Sequence, residues 1–105
     1  MRRGDVWWAR LPGPAGRRPV VLLSRDEAYS VRALVTVAPV TTRTRGIPVE
    51  VPLGKGEGLP KDCVANVDSV TTIAKSCLEG RAGALSTAKV AALDRALRFA
   101  LGLSR

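Results

Sequence analysis

The sequence predicts a mainly β protein, a small barrel closed off by one C-terminal helix. Three observations carry that prediction. Five or six short β-prone stretches follow one another, one amphipathic stretch lies after Ser86, and 105 residues with 46% apolar content fit a single core. Closing the sheet suits so small a chain, because it removes most of the strand edges that would otherwise pair with other chains.

Val6-Trp7-Trp8-Ala9 is the first β-prone stretch. It ends at Leu11-Pro12-Gly13-Pro14-Ala15-Gly16, where two Pro and two Gly in six residues dictate a loop. Trp7 and Trp8 point to opposite faces, so one belongs to the core and the other to an interface or a base-stacking surface. Pro19 to Ser24 and Ala33 to Ala38 are continuous apolar runs, the pattern of strands buried on both faces, with Arg25 to Ser30 as a polar connection between them. Pro48 to Leu53 alternates, with Val49, Val51 and Leu53 on one face and Glu50 and Pro52 on the other. Pro52 places that strand at an edge or a bulge, since it has no N–H for a ladder.

Gly54-Lys55-Gly56-Glu57-Gly58 lacks the Gly-Lys-Ser/Thr ending and following helix of a phosphate loop, and reads as a hairpin. Cys63–Val67 and Val70–Ala74 are shorter strands. Ser86 caps a helix over Thr87 to Leu101, with Val90, Leu93, Leu97 and Leu101 on one face and Lys89, Arg95 and Arg98 pointing away. Gly102 ends it.

Charge narrows the function. There are 17 Lys+Arg, 13 of them Arg, against 9 Asp+Glu, so the net charge is +8, and there is no histidine. Imidazole metal sites, Ser-His-Asp and Cys-His hydrolases and His-pair ribonucleases are excluded. The Arg excess points to an anionic partner: nucleic acid, an acidic protein or an anionic membrane. Cys63 and Cys77 lie 14 positions apart in apolar company, too few for a zinc site and best read as small buried hydrophobes. No metal or other cofactor is expected. Met1-Arg2-Arg3-Gly4-Asp5 passes straight into a strand, and no apolar run approaches the ~20 residues of a membrane span. A cytoplasmic, reduced protein with no membrane partner is the expectation.

Several motifs, taken in order, resemble one family. They are Arg3-Gly4-Asp5-Val6-Trp7, Arg18-Pro19-Val20-Val21-Leu22-Leu23-Ser24, Val37-Ala38-Pro39-Val40-Thr41-Thr42, Leu59-Pro60-Lys61-Asp62-Cys63 and Val70-Thr71-Thr72-Ile73-Ala74-Lys75. The set resembles the MazF/PemK toxins of type II toxin–antitoxin systems across nearly the whole chain. The resemblance implies one toxin domain over residues 1–105, an SH3-like barrel of the MazF/CcdB/Kid kind, a homodimer, and metal-independent cleavage of single-stranded RNA. It implies Arg18 and Thr41 as catalytic residues, with Asp68 as the acidic residue of the fifth strand, and a cytoplasmic, growth-inhibiting mRNA interferase. Two places depart from the pattern. The loop from Pro12 to Arg17 is short, and Thr71-Thr72-Ile73-Ala74 stands where an Arg precedes Thr-Ile-Asp.

The implied chemistry uses the substrate's 2′-hydroxyl as nucleophile and leaves a 2′,3′-cyclic phosphate and a 5′-hydroxyl. A guanidinium matches two phosphate oxygens at once, which suits Arg18, and a hydroxyl can donate to a phosphate oxygen or position the 2′-hydroxyl, which suits Thr41. Without histidine, the proton acceptor is Asp68 or an arginine acts as donor. Arg17, Thr42, Arg43 and Ser69 flank these positions as RNA-binding candidates, and an acidic MazE-like antitoxin competes for the same cationic groove. Structural readings stand beside these. Arg17-Arg18 also fits a solvated hairpin end, Thr41-Thr42 ordinary β-formers, and Asp68 a turn cap with Ser69. Two other functions fit the same fold: a non-catalytic toxin that poisons DNA gyrase through the helix end Leu101 to Arg105, and a basic nucleic-acid-binding barrel.

Overall fold

Two apolar clusters pack against opposite faces of a central three-stranded layer in the computed structural model, which describes residues 1–103. The elements among the described residues are β1 (Asp5–Leu11), β2 (Gly16–Leu22), a one-turn helix α1 (Ala28–Val31), β3 (Leu34–Thr41), β4 (Glu50–Leu53), β5 (Cys63–Asn66), β6 (Thr71–Ala74), β7 (Leu78–Ala84) and α2 (Thr87–Ala100). All strand pairs are antiparallel, in the order β4-β5-β3-β2-β1-β7, and β6 pairs with the N-terminal half of β3. This is a strongly curled, mainly β sheet with a C-terminal helix, as the sequence predicts.

Alternation assigns the two faces. Val6, Val21, Ala38 and Val40 join Val51, Leu53, Ala65 and Leu93 in one cluster, covered by α2. Ala9, Val20, Leu22, Val35 and Val37 join Tyr29 and Ile73 in the other. The two continuous apolar runs are therefore apolar because both of their faces are buried. Trp8 packs on the first cluster and Trp7 on the second, so each tryptophan serves a core. Burial pushes the Tyr29 phenol up to about 12, and its hydroxyl donates to the Ser24 carbonyl at 3.0 Å.

The Arg3-Gly4-Asp5 motif is structural. Asp5, only 7% exposed, accepts the Arg2 N–H at 3.0 Å and the Trp7 indole N–H at 3.5 Å, and faces the Arg81 guanidinium at 3.6 Å. Arg3 donates from Nε to the Leu23 carbonyl and from Nη2 to Asp94 of α2. Gly4, at φ +90°, bonds Leu22 through its N–H and Leu85 through its carbonyl. One tripeptide thus ties β1 to β2, β7 and the helix.

The curl closes where the β4–β5 connection meets β7. A Cβ on Gly83 would lie 2.3 Å from the Glu57 carbonyl oxygen, and one on Gly58 would lie 2.0 Å from that of Ala82. Two glycines facing each other are what allow the backbones to approach. Glu57 is buried and accepts the Gly54 N–H at 2.7 Å, which fixes the 3-10 turn Lys55–Glu57 inside that connection.

Several expectations need correction. β2 starts at Gly16 and pairs with Leu11, so the first loop is a tight hairpin holding the 3-10 turn Gly13–Ala15. The connection after β2 contains α1, whose Ala28 and Tyr29 are buried. β4 begins at Glu50, because Ile47 to Glu50 form a turn closed by the Glu50 N–H on the Ile47 carbonyl. β7 was missed, since Leu78-Glu79-Gly80-Arg81-Ala82-Gly83-Ala84 carries small residues in place of β-branched ones. In α2, Ser86 caps through the Lys89 N–H, Leu93 and Ala96 are the buried residues, Val90 and Leu97 are half-buried, and Leu101 is exposed. Lys89 does not point away: its ammonium donates to the Pro52 carbonyl at the β4 edge. Phe99 is 64% exposed in the last turn, so the helix end does present an aromatic ring; Ser104 and Arg105 lie outside the described residues. Cys63 is buried, whereas Cys77 is only half-buried, and neither forms a disulfide.

Replacing Gly83 with Ala is expected to destabilise the fold by about 1–3 kcal/mol, because backbone must move to admit the methyl group. Gly80→Ala, with open space at its Cβ, is expected to change the unfolding midpoint little. Urea denaturation of the two variants checks this.

Candidate active site

Strand register decides which candidate residues meet. β2 and β3 pair as Val20 with Pro39, Val21 with Ala38 and Leu22 with Val37. Counting the same register two positions outward sets Arg18 opposite Thr41, just past the last paired residues. Alternation from Val20 and Val37 puts both on the same face of the sheet. Two residues 23 positions apart in the chain thereby come to the same end of neighbouring strands.

Each is held with its useful atoms free. Arg18 is half-buried, and its Nε donates to the Ala15 carbonyl at 3.2 Å. That bond fixes the guanidinium plane and leaves the two terminal nitrogens without a hydrogen bond among the described residues. Thr41 is half-buried, and its Oγ1 accepts the Arg43 N–H at 3.1 Å. With a lone pair engaged in that turn, the hydroxyl proton remains available to an external acceptor. Thr42 and Arg43 follow in the exposed chain beyond β3, and Arg43 has no carboxylate partner among the described residues.

Asp68 and Ser69 are not on a strand. They lie in the 3-10 turn Val67–Ser69, which links β5 to β6 along the side of β3 away from β2. The reason is Asn66, whose side-chain oxygen takes the Asp68 N–H at 2.9 Å and turns the chain. Both side chains are exposed, and the Asp68 carboxylate makes no hydrogen bond or ion pair among the described residues. Two strand spacings, ~10 Å, separate this turn from β2. Asp68 and Arg18 thus lie on opposite sides of β3 and are not in contact.

Arg17 is placed elsewhere, on the opposite face from Arg18. Its guanidinium lies 4.6 Å over the Trp8 ring, and its Nε donates to Glu79 at 3.0 Å. Arg10, opposite Arg17 across β1 and β2, donates to the other Glu79 oxygen at 3.1 Å. The two guanidinium groups hold the Glu79 carboxyl below the ordinary glutamate range. Nothing local announces Glu79: its partners lie 69 and 62 residues away in sequence. Glu50 was missed for a different reason: its partners are four and five residues away, in a turn that no local motif marks. It accepts the Arg45 and Gly46 N–H groups and folds the chain after Arg43 back toward β4. Among the described residues no cluster of three or more His, Cys, Asp or Glu has metal-binding proximity.

The sequence profile of a family described as "PemK-like, MazF-like toxin of type II toxin-antitoxin system" matches residues 2–101. The chain belongs to the PemK/MazF toxin family. It is 40% identical over 104 residues to a probable endoribonuclease MazF5 of Mycobacterium tuberculosis, covering 98% of this chain and 94% of that protein. The structure of Mycobacterium tuberculosis toxin MazF-mt6 superposes with a TM-score of 0.90 at 33% identity, covering 96% of this chain and 99% of the other. An endoribonuclease in complex with its cognate antitoxin, from a mycobacterial species, superposes with a TM-score of 0.88 at 30% identity, covering 100% and 98%. The PemK/MazF family match spans both strands that carry Arg18 and Thr41.

The Glu79 arrangement has a definite pH signature. A carboxyl whose folded-state pKa is depressed contributes stability above its unfolded value, and loses it as pH falls through the folded value. Carbon-13 NMR titration is expected to put Glu79 below the ordinary glutamate range, and Arg17→Ala to move it back up; an unchanged midpoint in the variant contradicts the pairing.

Proposed function

We propose that this PemK/MazF protein is an endoribonuclease toxin, acting as one domain over residues 1–105, in the cytoplasm and as a homodimer. Single-stranded RNA is its substrate and an acidic MazE-like antitoxin its inhibitor. Family membership supports the toxin reading, and the endoribonuclease named among its relatives supports the activity. Among the structural observations, the register that sets Arg18 opposite Thr41 carries the most weight.

In this reading the scissile phosphate sits between Arg18 and Thr41. The terminal nitrogens of Arg18 take two non-bridging oxygens as negative charge builds on the phosphorane, and the Thr41 hydroxyl donates to an oxygen of the same group. The 2′-hydroxyl attacks phosphorus, the 5′-oxygen leaves, and the products are a 2′,3′-cyclic phosphate and a 5′-hydroxyl. No histidine exists to shuttle the proton. Asp68, exposed beyond the far edge of β3, is the proton acceptor in this reading and works through water, and the chemistry leans on positioning and charge. Thr42, Arg43 and Ser69 border the site and contact the flanking backbone. Arg17 adds an RNA contact on the Trp8 side.

No helix among the described residues is long and apolar enough to cross a membrane. The +8 charge and the unpaired Arg18 and Arg43 suit both an RNA strand and an acidic antitoxin segment that orders on binding.

Arg18→Ala and Thr41→Ala are each expected to lower kcat by about 10²–10³-fold while the protein stays folded. Assay of 5′-end-labelled RNA in EDTA checks this, the wild type giving discrete fragments with 5′-hydroxyl ends; a fully active variant overturns the assignment of that residue. With about three to five phosphates contacted, the slope of log K on log salt should be roughly −2 to −4 for single-stranded RNA. Fluorescence anisotropy across a salt series measures it.

A further inference from the structure

We infer that Glu79 is a positioning residue for Arg18: through Arg10 and Arg17 it clamps the hairpin whose backbone aims the Arg18 guanidinium. The catalytic consequence rests on the endoribonuclease reading above, while the clamp itself does not.

The hairpin between β1 and β2 needs such a clamp. β1 pairs with β7 only as far as Ala9 opposite Leu78, so beyond Ala9 the hairpin runs past the β7 ladder. Its 3-10 turn Gly13–Ala15 buries none of its residues. Yet the Ala15 carbonyl accepts the Arg18 Nε–H at 3.2 Å and so sets the plane of the guanidinium. With no side chain of the turn in the core, the place of that carbonyl follows from how the two arms below it are held.

Those arms carry Arg10 and Arg17, directly opposite each other across the strand pair. Like charges in that position repel, and by themselves they would splay the hairpin. Glu79 reverses the sign. One of its oxygens accepts the Arg10 Nε–H at 3.1 Å and the other the Arg17 Nε–H at 3.0 Å. An irregularity in β7 brings it there: the pairing steps from Trp8–Gly80 to Ala9–Leu78, which leaves Glu79 as the extra residue of a β-bulge. Re-aiming a side chain is what such bulges do, often next to an active site.

Trp8 completes the support. It packs on the cluster beneath α2, and the Arg17 guanidinium lies 4.6 Å over its ring. Position 17 is thus fixed on one face of the sheet by a ring and a carboxylate. Arg18, next in the chain, leaves from the other face with its Nε tied to the turn. Glu79 therefore acts on Arg18 through the hairpin and needs no contact with the substrate. An isolated exposed ion pair contributes little, but here one carboxylate separates two guanidinium groups that otherwise repel.

The test measures the Arg18 side chain directly and then the reaction, both on the full-length protein. In nitrogen-15 NMR the Arg18 Nε–H is the signal lost in Arg18→Ala. In Glu79→Gln its exchange with solvent is expected to quicken about 3- to 10-fold. The Arg3 Nε–H, which donates to the Leu23 carbonyl at 3.0 Å, should keep its rate. Combining Arg10→Glu with Glu79→Gln restores a carboxylate opposite Arg17, and should return the Arg18 rate to within about 2-fold of wild type. Single-turnover cleavage of one defined RNA gives the second readout. Glu79→Gln should slow cleavage about 3- to 10-fold with RNA affinity no weaker, since a negative charge has been removed. In the Arg18→Ala background the same change should slow it less than about 2-fold. Unchanged Arg18 exchange in Glu79→Gln overturns the clamp. Equal slowing in both backgrounds overturns its action through Arg18. If the wild type cuts no RNA, the ribonuclease reading falls, while quickened Arg18 exchange in Glu79→Gln still supports the clamp.

Discussion

The pairing of β2 with β3 is the constraint on which the rest of this molecule depends. It lies in the middle of the sheet, with Val20 against Pro39 and Leu22 against Val37, and apolar clusters cover both of its faces. A slip of one residue would move Val20 and Leu22 into the cluster under α2 and Val21 into the other, and would carry Arg18 to the opposite face, so the fitted packing of both clusters sets the register. The same register then fixes the site without further cost. Arg18 and Thr41 lie one step beyond the buried stretch, on neighbouring strands, where the sheet is still rigid but water and substrate can enter. Rigid backbone below and solvent above is what a site that works by positioning needs.

The charge of the molecule divides along similar lines. Arg3, Arg10, Arg17 and Arg81 have carboxylate partners and hold elements together. Arg45 contributes its N–H to Glu50 to shape the chain after β3. Arg18 and Arg43 have no such partner among the described residues, and they are the ones beside Thr41. Part of the +8 excess is therefore concentrated at the site, and part is spread over a surface that already attracts anions from a distance. There is no histidine, and Asp68 lies across β3 from Arg18 and out of contact with it.

The fold class was legible because its strongest elements are apolar for simple reasons. Pro19 to Ser24 and Ala33 to Ala38 are buried on both faces, and Val90, Leu93 and Leu97 repeat at helical spacing. β7 was not legible, because Gly80 and Gly83 serve close backbone approach and an open edge, and they dilute the strand pattern. Leu101 misled because apolar periodicity runs past the point where α2 has anything to pack on. At the site, Arg18 and Thr41 were available only through resemblance to a family; as isolated residues they read equally well as a hairpin end and a strand end. Glu79, Asn66 and Glu50 were out of reach, since each acts through a partner set by tertiary folding or by a turn that the sequence does not advertise. The Gly54 to Gly58 turn was read correctly as a connection between strands, while its role in closing the curl against β7 required the structure.

The central claim is that Arg18 and Thr41 act together on one phosphate because β2 and β3 hold them in register. A double-mutant cycle on kcat/KM, with Arg18→Ala, Thr41→Ala and the combined variant on one defined RNA, tests it directly. Residues that act as a unit are strongly non-additive, so the combined variant should lose far less than the product of the two single losses. A combined loss equal to that product, with all three variants folded, would mean that the two side chains act independently and would contradict the account.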